Sequence, residues 1–97
     1  MVNGFVGPFT EQIRVVGQAT DPQSLPYIDQ MTLLDLMIAV GGLTEFADGN
    51  RSSIVRVIDG EWQQFGVRID DLINGADISA NAYMLPGDIL IIPESWF

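Results

Sequence analysis

Only one stretch of this chain has the composition of a long helix, whereas the rest shows the patterns of strands and turns. Thr32 is a favourable N-cap, and Asp35 three positions later forms a short-armed capping box with it. Every position of Leu33–Val40 except Asp35 is apolar, and Gly41-Gly42 then supplies the left-handed cap that ends a helix. Because this helix is apolar on nearly every side, we expect it to be covered on more than one side.

The segments around the helix predict about five strands. They have alternating or β-branched residues and are Glu11–Ala19, Ser24–Ile28, Ile54–Ile58, Glu61–Val67 and Ile89–Ile92. Pro26 places the second strand at an edge or a bulge, because proline cannot donate to a ladder. Asp59-Gly60 predicts a type I′ hairpin between the third and fourth strands. Residues 69–73 predict one short helical turn, and the fully apolar Ile89–Ile92 predicts the most buried strand.

This order of elements predicts a small α+β domain. A chain of 97 residues has the size of a single domain. One main helix among about five strands is expected to pack across one face of a mixed sheet, and a β-grasp fits the order β-β-α-β-β-(short helix)-β. We assign the domain to residues 11–97 and residues 1–10 to a lead-in segment that ends a preceding region.

The charge and the missing residue types exclude several functions. Thirteen acids against four arginines, with no lysine, give a net charge of −9, whereas a nucleic-acid binder needs a basic footprint. The absence of cysteine and histidine removes the usual nucleophiles, zinc fingers and iron–sulfur ligation. We therefore expect no catalytic residues, no metal, no cofactor and no nucleic-acid partner.

Three quoted segments carry a resemblance to a known family. QIRVVGQATDPQ at 12–23, YIDQMTLLDLMIAVGGLTEFA at 27–47 and LPGDILIIPESWF at 85–97 resemble the soluble ligand-binding β-grasp (SLBB) domain. More narrowly, they are similar to bacterial polysaccharide export proteins of the outer-membrane auxiliary type. The ending PESWF, with the lead-in GFVGP at 4–8, resembles the branch found beside exosortase and extracellular-polysaccharide gene clusters.

The resemblance implies a non-catalytic role in exopolysaccharide secretion. It implies a periplasmic location and attachment to the outer membrane through a missing N-terminal region. The implied partners are other subunits of an export ring, an inner-membrane chain-length regulator and, as a further role, the polysaccharide itself. We expect the isolated domain to be a monomer at low salt, because a net charge of −9 is self-repelling. The alternative is a small-ligand receptor of the cobalamin-binding type, which needs a preformed apolar pocket.

Trp62 and Gln64 are the first candidate ligand-binding residues. Sugar rings stack on indoles, and the polar neighbours of Trp62 indicate that its strand is half solvated. The amide of Gln64 can bond sugar hydroxyls. The alternative is that Trp62 packs against Arg56 or Arg68 at the outer side of the hairpin.

Trp96 and Phe97 form a second candidate. Two large aromatic residues at a chain end either fold back on the core or meet a partner. Saccharide binding is a third possibility for this pair. The sequence leaves all three open.

The acids allow two further hypotheses. Asp70-Asp71 with Asp77, and Asp48 with Asp59 and Glu61, have the hard oxygen ligands that Ca²⁺ takes, but neither set has EF-hand spacing. Loop carboxylates and helix caps explain them better. A glycosidase needs two carboxylates about 5–9 Å apart across a cleft, for which a small β-grasp has little room.

Overall fold

The computed structural model describes residues 11–95, which form a five-stranded mixed sheet with two helices. The elements in chain order are β1 Gln12–Gly17, β2 Ser24–Pro26, α1 Leu33–Val40, β3 Ser52–Ile58, β4 Glu61–Val67, α2 Ile69–Ile73 and β5 Ile89–Ile92. Two 3₁₀ turns lie at Gly49–Arg51 and Ile78–Ala80. The predicted α+β class, the strand count and the short helical turn are all confirmed.

The strand order is β2-β1-β5-β3-β4. The central pair β1–β5 is parallel, and the pairs β1–β2, β3–β5 and β3–β4 are antiparallel. A parallel pair needs a crossover, and α1 lies in the connection that takes the chain from the β1–β2 hairpin to the other half of the sheet. This arrangement is the β-grasp predicted from the order of the elements.

The ends of α1 follow from its sequence. The Thr32 hydroxyl accepts from the Asp35 N–H, while the Asp35 carboxylate accepts from the Thr32 N–H at 2.9 Å, which completes the predicted capping box. Gly41 ends the helix at φ 78°, in the left-handed region. Both predicted ends of the helix are therefore confirmed.

The burial of α1 differs from the prediction. Its buried residues form one stripe, Leu33, Leu36, Met37 and Val40. Ile38, on the other side of the helix, is 73% exposed. We expected α1 to be buried on more than one side. For the described residues this is wrong, because the buried residues of α1 all lie on the side that faces the sheet.

The sheet has one covered face and one open face. Ile13, Val15, Ile54, Leu90 and Ile92 are buried on the α1 side, where they form the core with the helix. Strand side chains alternate between faces, so Ile89 and Ile91 lie on the opposite side and are only half-buried. β5 is the one described strand without an exposed residue, so the prediction that it is the most buried strand is confirmed.

The β3–β4 hairpin is regular throughout. Asp59 and Gly60 have φ values of 53° and 81°, which is the left-handed pair that a type I′ turn requires. The pairing runs without a bulge from Ile58–Glu61 to Ser52–Val67. β3 thus begins two residues earlier than predicted. No helix among the described residues is long and apolar enough to cross a membrane.

Candidate binding face

The sheet face opposite α1, here called the open face, is formed by every second residue of the five strands. The register places these residues on it: Gln12, Arg14, Val16, Ser24, Pro26, Ser53, Val55, Val57, Trp62, Gln64, Gly66, Ile89 and Ile91. The centre is aliphatic and the β4 side is aromatic and polar. No described helix packs on it, because α1 and the core lie on the other side of the sheet.

Charge is distributed unevenly between the open face and the remaining surface. The strand residues on the open face include Arg14 and no carboxylate, although the chain has thirteen acids. Glu61, the one acid of β4, pairs with Ile58 and points to the α1 side. A surface without carboxylates in a chain of net charge −9 can meet an apolar, neutral or anionic partner with little repulsion.

Trp62 is the largest side chain of the open face. It lies opposite Val57 and is 64% exposed. Arg56 belongs to the other face, where its guanidinium lies 5.6 Å from the Phe65 ring centroid. Arg68 pairs instead with Asp71 at 2.9 Å. The alternative of Trp62 packing on Arg56 or Arg68 is therefore wrong, and the indole is exposed on a largely uncharged surface.

Gln64 and Gly66 continue the open face along β4. The Gln64 amide donates to the Ser53 hydroxyl at 2.8 Å, which orients it across the β3–β4 pair. Gly66 has an ordinary strand φ, and a Cβ built there meets no atom within 4 Å. Neither backbone conformation nor packing within the described residues requires glycine at this position. A strand glycine of this kind often marks the close approach of another group.

Sequence reasoning missed one feature of the opposite face, a buried ion pair. Asp88 is fully buried and accepts from Arg56 Nε at 2.9 Å and Nη2 at 2.7 Å, and from the Leu85 N–H at 2.8 Å. The hydrogen bonds that Arg56 donates to Asp88 raise the pKa of Arg56 above its usual range. No sequence pattern marked this pair, because the pairing of a residue in β3 with one that precedes β5 is a tertiary contact.

The sequence matches the model of a known domain family over most of the strands that form this face. The family model of the SLBB domain matches residues 12–66, which is more than half of the chain. The chain belongs to the SLBB domain family. The match includes β1 to α1 and most of the β3–β4 hairpin, so Trp62, Gln64 and Gly66 all lie within it. An SLBB domain is a soluble ligand-binding β-grasp domain, which agrees with the fold and with the general kind of function predicted.

Two acids of the first candidate calcium set in this SLBB domain, Asp71 and Asp77, are held by local contacts. Arg68 Nη1 lies 2.9 Å from Asp71 and 3.5 Å from Asp77. The Asp77 carboxylate also accepts from the Ser79 hydroxyl and N–H, which lowers the pKa of Asp77 below its usual value. The interpretation of Asp77 as a cap is confirmed. Among residues 11–95, no three acids lie close enough together to hold a metal ion.

Two other predictions concern the aromatic pair at residues 96–97 and a preformed ligand pocket. Trp96 and Phe97 lie outside the described residues. A cleft of about 400 Å³ lies at the β1–β2 side, and its lining includes Glu11, Tyr27 and Pro86. It is half open and of mixed polarity, unlike the enclosed apolar pocket that a cobalamin-type ligand needs.

Proposed function

We propose that this SLBB domain is a non-catalytic periplasmic module of a polysaccharide export protein, and that its open face contacts the saccharide. The observation that carries the proposal is a carboxylate-free face with an exposed indole, in a chain of net charge −9. Family membership supports a binding role, and the resemblance of the MTLLD and LPGDILIIPE segments to export proteins supports the process.

The physical case rests on the arrangement along β4. An indole with 64% of its surface exposed offers a flat apolar plane on which a sugar ring can stack its C–H groups. Gln64 lies two residues further on the same face, and its amide is oriented by Ser53 to hydrogen-bond a hydroxyl of the next ring. The flat space over Gly66 admits a chain passing along the strand. The acids elsewhere on the surface would not attract an anionic glycan.

The wider setting is part of the same proposal. The domain would lie in the periplasm, associated with the outer membrane through an N-terminal region, and would contact other subunits of an export ring. An inner-membrane chain-length regulator is its expected partner. These assignments are supported by the resemblance to outer-membrane auxiliary proteins rather than by any contact within the domain.

The test is an NMR titration of the isotopically labelled domain with oligosaccharides from the producing organism's own exopolysaccharide. We expect saturable shifts at Trp62, Gln64 and Gly66, and their loss in Trp62→Ala. The matched control is Phe65→Ala, which removes an exposed aromatic side chain from the other face of the same strand. Shifts absent at millimolar sugar, or weakened equally by both variants, would refute saccharide binding by the open face.

A further inference from the structure

Within residues 11–95, the outer edge of β4 is a strand edge with no partner strand. β4 is seven residues long, pairs with β3 alone, and contains neither proline nor lysine. The opposite edge of the sheet is the three-residue β2, which contains Pro26. Natural sheets usually shield long, regular edges with such residues or with bulges, since a bare edge is a template for another strand. The edge of β4 therefore has the properties of an interface.

The hairpin geometry shows which backbone groups this edge presents. A two-residue type I′ turn closes on a hydrogen-bonded pair, here Ile58–Glu61, and bonded and non-bonded pairs alternate from there. The N–H and C=O groups of Trp62, Gln64 and Gly66 consequently point away from β3. No described residue outside the strands hydrogen-bonds these backbone groups.

We propose that β4 pairs in antiparallel orientation with β4 of a second copy of this chain, in a register centred on Gln64. A two-fold axis perpendicular to the sheet places Gln64 opposite Gln64 and Trp62 opposite Gly66 of the second copy. All three outward-facing residues of each strand then meet outward-facing residues. Each of these three pairs exchanges two hydrogen bonds, whereas a shift by two residues would lose one pair.

The side chains fit the same register. Trp62 of each copy lies across from Gly66 of the other, on the open face, where the absent Cβ leaves space for the ring. Aromatic side chains cover cross-strand glycines in this way and stabilise the pair. The pairing thus gives a reason for glycine at a position where the single chain does not need it.

The charges at the two ends of β4 are complementary when the strands run antiparallel. Glu61 begins the strand and Arg68 directly follows its last residue, Val67. In the proposed register Glu61 lies opposite Val67 of the second copy, beside an Arg68 that also pairs with Asp71 of its own copy at 2.9 Å. The net charge of −9 on each copy opposes association, so the pairing should strengthen as salt screens that repulsion.

This two-fold contact does not follow from the proposed export function, although both use Trp62 and the space over Gly66. A ring requires a different surface on each side of every subunit, whereas β4 here meets β4. The contact would join two copies, or two rings, across a continuous sheet. If the domain fails to bind saccharide, the contact between two copies can still form. If the domain fails to dimerise, a single copy can still bind saccharide.

Disulfide trapping tests the register directly, because the chain has no cysteine. In Gln64→Cys the two introduced residues would face each other with Cα atoms about 5.5 Å apart, which suits a disulfide. Gln63→Cys is the matched control, because its diagonal separation of about 7–8 Å does not suit one. At about 0.15 M salt in a glutathione buffer, we expect Gln64→Cys to cross-link about tenfold faster than the control.

Equal rates in the two cysteine variants would indicate random collision and overturn the proposal, and faster trapping in Gln63→Cys would overturn the register. Sedimentation equilibrium gives a second readout without oxidation. We expect weak, salt-dependent dimerisation that Gln64→Lys abolishes and Gln63→Lys retains. A mass that stays at 10.6 kDa at every concentration and salt, or growth beyond a dimer, would contradict the two-fold pairing.

Discussion

The buried pair Arg56–Asp88 allows the most quantitative prediction. Asp88 is completely buried and accepts three hydrogen bonds, two from Arg56 and one from the Leu85 N–H. Replacing it with alanine leaves the Arg56 guanidinium without its carboxylate and an amide without its acceptor. Because the Arg56 side chain is only 20% exposed, water can replace little of what is lost.

Removing one partner of a buried ion pair typically costs about 3–5 kcal/mol of unfolding free energy. The partial exposure of Arg56 places our expectation for Asp88→Ala near the lower value, about 3 kcal/mol. A domain of this length is stable by about 5–15 kcal/mol, so the variant should lose a large fraction of its stability. The Arg56→Met/Asp88→Leu double variant should be less destabilised than the sum of the two single changes, because it leaves no unpaired charge.

The assay is urea unfolding followed by circular dichroism, with the dependence on denaturant compared between variants. Asp48→Ala is the control, because Asp48 pairs only at 3.9 Å with an Arg51 side chain that is 80% exposed. We expect that change to cost less than about 1 kcal/mol. The reasoning would be refuted by an Asp88→Ala loss no larger than that of Asp48→Ala, or by purely additive effects in the double variant.

Two further predictions concern a crowded glycine and a capping carboxylate. Gly17→Ala should destabilise the domain by roughly 3 kcal/mol or more, because φ at this position is 99° and the new Cβ would lie 2.1 Å from the Ile92 carbonyl oxygen. In the same urea assay, the control Gly66→Ala should change the unfolding free energy by less than about 1 kcal/mol. Equal losses in the two variants would contradict this prediction. Asp77 has a lowered pKa in the folded state, so its contribution to stability is present above the pKa of the unfolded chain and is lost as the pH falls through the folded pKa. Ser79→Ala should raise the Asp77 pKa, measured by NMR of the carboxyl carbon, and an unchanged titration would show that the Ser79 hydroxyl does not cause the shift.

The elements of this domain could be predicted from local sequence because local chemistry determines them. Three such features are the Thr32–Asp35 capping box, the glycine that ends α1 and the Asp59-Gly60 turn. Each depends on residues within a few positions of one another, so it can be recognised in the sequence without knowledge of the fold. The alternation likewise predicted the strand β1, in which Ile13 and Val15 are the buried residues. The order of these elements was sufficient to predict a β-grasp.

The candidate site was only partly predictable. Trp62 and Gln64 could be chosen from their residue types and polar neighbours, but their shared face depends on the register of β4 against β3. The same register separates Trp62 from Arg56, a distinction that sequence proximity could not make. The lack of carboxylates on the open face appears only when five strands from distant parts of the chain are assembled.

The sequence by itself determined the class of this protein: its helix and hairpin ends, its strand count, its acidity and its SLBB motifs, all encoded over short stretches of chain. Tertiary structure alone decided the rest. It put Arg56 against Asp88 and left Ile38 exposed. It also made β4 an edge strand and collected a surface without carboxylates on one side of the sheet. Burial and pairing depend on which distant strands become neighbours, and a one-residue change in register would move every side chain to the other face.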